Sequence, residues 1–110
     1  MSDAISEKNQ AGGIDATLAA RGTRYGAFPG HARITQALKR AMVDSPNWDQ
    51  LADDQREALE MVVHKIGRIL NGDPNYLDSW HDIIGYTRLV EARLALDQTS
   101  DDPIYEATGT

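Results

Sequence analysis

Asp53-Asp-Gln-Arg-Glu57-Ala-Leu-Glu60-Met-Val-Val-His64-Lys65-Ile-Gly-Arg68-Ile-Leu70 is the stretch on which the fold turns. Leu59, Val62, Val63, Ile66, Ile69 and Leu70 recur at intervals of three and four, which makes one apolar stripe of an amphipathic helix. Asn71-Gly72-Asp73-Pro74 follows, a glycine and then a proline where a helix should end. Opposite the stripe stand Glu57, Glu60, His64 and Arg68. On an isolated three- or four-helix unit that face meets water, so a role for it requires a cover such as a second subunit.

Working outward, the same periodicity predicts a helix from Leu77 or Asp78 to about Asp97. It carries two apolar stripes. One is Trp80, Ile83, Thr87, Val90 and Leu94; the other starts with Asp78 and Asp82 and continues through Gly85, Leu89, Ala92 and Leu96. A helix with two such stripes is expected to be covered on both sides. Upstream, a helix is expected from His31 to about Val43, ended by Asp44-Ser45-Pro46, and residues 47–52 read as a short turn that plants Trp48 on the core. Gly22-Thr-Arg-Tyr-Gly-Ala-Phe-Pro-Gly30 reads as a loop, because its three glycines and Pro29 mark turns. A short first helix then spans Ile14 to Arg21, stopped by Gly22. The expected class is all-α, a helical bundle of about four helices.

The 110 residues allow one domain. Residues 1–13 and 98–110 are polar and without apolar period, and they are expected to be flexible tails around a helical domain at 14–97. At that length a lone core is marginal, and oligomerisation often supplies the difference. Most of the formal charge of −6 sits in the two ends, where Asp3, Glu7, Asp101, Asp102 and Glu106 outnumber Lys8. An acidic chain without a basic stripe does not suit general nucleic-acid binding. Cysteine is absent, which excludes disulfides and thiolate metal sites. With no signal peptide and no apolar run of membrane-spanning length, the expected location is the cytoplasm, with no membrane partner.

The chemistry-bearing pattern is a pair of acids on each of two adjacent helices. Glu57 and Glu60 are three apart, and Asp78 and Asp82 are four apart, so each pair shares a helix face. Facing each other, they would gather the hard oxygen ligands that Mg²⁺ or Mn²⁺ prefers. Each pair also fits a plainer role: the glutamates as a solvated face, and Asp78 as an N-cap. His64 and His81 lack the spacing of a zinc site and read as helix-face residues. Lys65 and Arg68 can meet phosphate oxygens or pair with the glutamates. Arg24, Tyr25 and Phe28 form a basic-aromatic cluster that can stack on a base or plug the end of the bundle. No phosphate-binding glycine loop of the P-loop kind occurs.

Glu57-Ala-Leu-Glu60 on one helix, then a short turn, then Asp78-Ser-Trp-His-Asp82-Ile-Ile-Gly-Tyr86 resembles the MazG-like all-α nucleoside triphosphate pyrophosphohydrolases, in particular the small phage-encoded ones. Arg21-Gly-Thr-Arg-Tyr-Gly-Ala-Phe28 resembles the segment ahead of their second helix. The resemblance covers about residues 14–95. It implies Mg²⁺ or Mn²⁺ held by Glu57, Glu60 and Asp82, with catalysis by Glu57 or Glu60 as the base. It also implies cleavage between the α- and β-phosphates of a (d)NTP, and a homodimer or homotetramer. Where the family carries an acid three residues before Asp82, this chain has Ser79, and Asp78 stands in as the fourth ligand. By the same resemblance Lys65, Arg68, Arg24, Tyr25 and Phe28 would contact substrate, and a phage enzyme would shape a nucleotide pool in the host cytoplasm. Two other classes fit the sequence: a non-catalytic acidic interaction protein, and a nucleotide sensor that binds without turnover.

Overall fold

A computed structural model describes the backbone of residues 2–101 and the side chains of residues 13–99. Every regular element among them is helical: α1 Ser2–Tyr25, α2 Phe28–Val43, a single 3-10 turn Trp48–Gln50, α3 Asp53–Asn71 and α4 Leu77–Asp101. The all-α expectation with four helices is met. None of these helices is long and apolar enough to cross a membrane. Of the expected tails, residues 2–13 form the start of α1 and residues 98–101 the end of α4, whereas residue 1 and residues 102–110 lie outside the described residues.

The boundaries around residues 22–30 also differ from the sequence reading. Gly22 does not stop α1, which continues to Tyr25. A glycine inside a helix costs only about 1 kcal/mol relative to alanine, and the break comes instead at Gly26, whose φ of 78° is open to glycine and strained for other residues. The expected loop 22–30 is thereby reduced to Gly26-Ala27. Phe28-Pro29-Gly30 forms the first turn of α2, with Pro29 where a helix tolerates it because the missing N–H has no partner in the first turn. The turn at 47–52 and the limits of α3 are as expected. Gln55 Oε1 accepts the Ala52 N–H at 2.8 Å and secures the α3 start.

Helix α3 lies in the middle and packs chiefly on α2 and α4, with little or no contact between α2 and α4. The result is a small helical bundle laid out as a layer with α3 at its centre. Its enclosed apolar core is small: among the described residues only Ala58 and Val63 are buried hydrophobics, joined by Thr35, Lys65 and Ser79. The apolar stripe of α3 is only partly covered, for Leu59 and Leu70 are exposed. Trp48 is half-buried and has the Arg56 guanidinium 5.7 Å from its ring. Between α3 and α4 an apolar groove of about 530 Å³ runs past Leu51, Ala58, Leu59, Val90 and Leu94.

The layer is tied at two places. Gly67 lets α2 and α3 cross closely, since a Cβ there would stand 2.6 Å from Thr35 Cγ2 and 3.0 Å from His31 Nδ1. At one end, Asn71 Nδ2 donates to the carbonyls of Tyr25 and Ala27, both at 2.9 Å. The Asp73 N–H reaches the Arg24 carbonyl at 2.6 Å. The α1–α2 turn is thus pinned to the end of α3.

Candidate functional site

The pinned turn and the α2–α3 crossing enclose a cavity of about 660 Å³, walled by Leu18, Arg21, Tyr25, Phe28, His31, His64 and Arg68. Three rings line up along it. Phe28 stacks on His31 with centroids 6.3 Å apart, and His31 on His64 at 5.8 Å, each pair inclined by 29°. The Arg68 guanidinium lies 4.3 Å from the centre of the Tyr25 ring. Phe28 is 76 % exposed, so it forms an open lip and does not plug the end of the bundle. Arg24 stands outside the cavity, 5.1 Å from the Tyr76 ring, and Tyr76 in turn meets Tyr25 edge-on at 6.0 Å.

Burial, above all, holds both histidines below their ordinary range. His64 and Arg68 add to this at His31; Lys39, Arg68 and Lys65 add to it at His64. With the His64 ring neutral, its Nε2 accepts from Lys39 Nζ at 3.0 Å. His31 Nδ1 is enclosed, and no contact of hydrogen-bonding geometry reaches it. The Gly67 backbone beside it favours the protonated ring, but less than burial opposes it. The cavity therefore offers aromatic faces, two arginines and one buried nitrogen, a combination suited to a flat heterocycle next to an anion.

The α3 face leads from this cavity to the carboxylates. Glu60 lies one turn before His64, close enough to favour its charged form, and Glu57 is exposed one turn further. The aspartates of α4 are engaged elsewhere. Asp82 Oδ2 is 3.1 Å from Nζ of Lys65, a side chain only 9 % exposed. Asp78 is exposed in the first turn of α4, so it is not the cap, and it accepts from the Tyr76 hydroxyl at 3.1 Å. Ser79 is buried.

Among the described residues no group of three or more His, Asp or Glu is arranged to hold a metal. The single chain does not gather the four expected acids into one cluster, because Lys65 occupies the space in front of Asp82 and Asp78 faces Tyr76. Of the four, Glu57 and Glu60 remain on one face of α3, at a spacing of three.

Of the residues singled out in the sequence, the fold brings Tyr25, Phe28 and Arg68 to one cavity. It puts Glu57 and Glu60 on the adjoining face, and it leaves Arg24 and Asp78 apart from both. Sequence reasoning passed over Arg21, His31 and Lys39, and set His64 aside. The usable signal was His31-x-x-x-Thr35-x-x-x-Lys39, one face of α2 at helical spacing, opposite His64 and Gly67.

No known protein family, curated protein or solved structure matches this chain. The resemblance to the MazG-like enzymes thus rests on the motif residues themselves.

Proposed function

We propose that the protein is a nucleoside triphosphate pyrophosphohydrolase of the MazG-like kind, acting on a (d)NTP with Mg²⁺ or Mn²⁺ and working as a homodimer or homotetramer. One observation carries the reading: a single face of α3 runs from Glu57 and Glu60, past His64, to Arg68 at the aromatic cavity. From position 57 to position 68 is about 16 Å along the helix, comparable to an extended nucleoside triphosphate.

In this reading the base enters between Phe28 and Tyr25, beside His31. Arg68 and Arg21 meet phosphate oxygens near the cavity mouth, whereas Lys65 is taken up by Asp82 on the other side of α3. Glu57 and Glu60 would hold the metal, which would supply charge neutralisation at the phosphates and a more acidic water. A carboxylate oxygen of Glu57 or Glu60 that is not engaged with the metal takes the proton of the water that attacks the α-phosphate, while the P–O bond to the β-phosphate breaks and pyrophosphate leaves. Keeping His64 neutral avoids placing another cation beside the glutamates that receive the metal.

The nucleotide-sensor reading has one specific observation in its favour. Lys65 neutralises Asp82, and Ser79 stands where the family carries an acid, so the metal set is two carboxylates short. An assay for monophosphate and pyrophosphate over the eight common NTPs and dNTPs, with Mn²⁺, Mg²⁺ or EDTA, separates the two. Metal-dependent monophosphate formation is expected. Tight nucleotide binding without product would establish the sensor.

A further inference from the structure

The end of α3 joins two residues that the packing demands and that are chemically fragile together. Asn71 is demanded for its donors. Its side-chain nitrogen bonds the carbonyls of both Tyr25 and Ala27 at 2.9 Å, and an amide nitrogen has only two hydrogens to give. Gly72 is demanded for its lack of a side chain. A Cβ there would collide with the Arg24 carbonyl oxygen and the Tyr25 backbone, which lie directly against it. Asn71 is thereby the one asparagine of the chain that precedes a glycine. That order favours deamidation, because no side chain hinders the glycine nitrogen from turning onto the preceding Cγ.

We propose that Asn71-Gly72 is a site of spontaneous modification, guarded while this latch is closed and converted when it opens. The reaction needs only water. The Gly72 nitrogen gives up its proton and attacks Cγ of Asn71; the bond from Cγ to Nδ2 breaks, and ammonia leaves as a succinimide ring closes. Water then adds at one of the two ring carbonyls. The product is aspartate, or isoaspartate with the main chain routed through the side-chain carboxyl. The closed latch opposes the first move from both sides. The Gly72 N–H is held by the Arg68 carbonyl at 2.9 Å, so its nitrogen is not free to turn. Nδ2 is tied to two carbonyls, and Oδ1 lies so close to Gly30 that a Cβ there would stand 2.5 Å from it, so the amide is not free to rotate. Conversion removes the latch for good. A carboxylate has no hydrogen to give and sets negative charge against the Tyr25 and Ala27 oxygens. Isoaspartate also lengthens the main chain at a point where there is no room for a Cβ.

The site requires nothing of the nucleotide reading, and the unmodified protein tests it. Samples are aged at mildly alkaline pH, folded or in guanidinium chloride, and mapped by peptide mass. Asn47 and Asn75 precede Trp48 and Tyr76 and serve as internal standards, since bulky neighbours hinder the same ring closure. In denaturant Asn71 is expected to change from amide to acid well ahead of both. In the folded protein its conversion should be slower by about tenfold or more, because two hydrogen bonds must open first. Folded protein aged to completion should melt below the fresh protein, as should Asn71→Asp, which carries one product from the start. Equal rates at Asn71 in the folded and unfolded chain would overturn the guard. Conversion in denaturant no faster than at Asn47 and Asn75 would overturn the site itself. Fully converted protein that melts like the fresh protein would overturn the loss of the latch.

Discussion

Lys65 and Asp82 show how a single contact redirects a site. An ammonium that is 9 % exposed needs a counter-charge, and Asp82 supplies it at 3.1 Å. Asp82→Asn is therefore expected to destabilise the protein by about 1–2 kcal/mol, the carboxylate being half open to solvent and the lysine not. Urea denaturation measures this, and an unchanged midpoint would mean that Lys65 finds another partner. Lys65→Met should leave Asp82 free for metal, so a rise in Mn²⁺ affinity by calorimetry is expected. Asn71 is the other residue with consequences beyond its size. Asn71→Ala removes both hydrogen bonds that hold the α1–α2 turn and should cost about 1–2 kcal/mol, read by the same denaturation. Neither partnership was legible in the sequence. Asp82 read as a metal ligand because only spacing along its own helix was visible, and Asn71 read merely as a helix end. Both depend on contacts that spacing within one element does not encode.

At the scale of elements, α3 was readable almost to the residue, because its apolar stripe and the Gly72–Pro74 stop agree. The region around Gly26 was not. Three glycines and a proline look alike in sequence, yet only Gly26 adopts positive φ, Gly22 is helical, and Gly30 lies close to the Asn71 side chain. For the candidate site, Tyr25, Phe28 and Arg68 were visible as chemistry. His31 was hidden, since its place against Gly67 follows from how α2 crosses α3. That crossing has a pH signature. Burial lowers the proton affinity of His31 and His64 in the folded state, so below the ordinary histidine value near 6.5 the unfolded chain binds more protons. Stability then falls as pH drops through and below that value, and is fully present above it. Melting curves between about pH 8 and about pH 5 should show this decline, and replacing His31 with phenylalanine should flatten it. A decline of equal slope in the variant would place its origin in other groups.

For the whole molecule the decisive fact is the scarcity of interior. A helical layer with two buried hydrophobic side chains among its described residues has little to set against the conformational entropy of its helices. Its stability is therefore expected to belong to the assembly, and the melting temperature should rise with protein concentration. A concentration-independent melt over a hundredfold range would show that the protomer stands alone. The Arg93 fork, with hydrogen bonds to Asp54 at 2.7 and 2.9 Å and to Asp97 at 2.9 Å, steadies the far end of α4 on α3. It lies at the surface and cannot replace a core.

The latch between Asn71 and the α1–α2 turn also orders events in time. The α2–α3 and α3–α4 pairs join neighbours in sequence and need only short loops to close. The cavity, by contrast, is complete only when residues 46 positions apart have met. Contacts of such separation are slow to form, because chain closure is paid before any reward arrives. The pocket is thus expected to close no earlier than the helix pairs around it, and a molecule lodged there would favour the latched state.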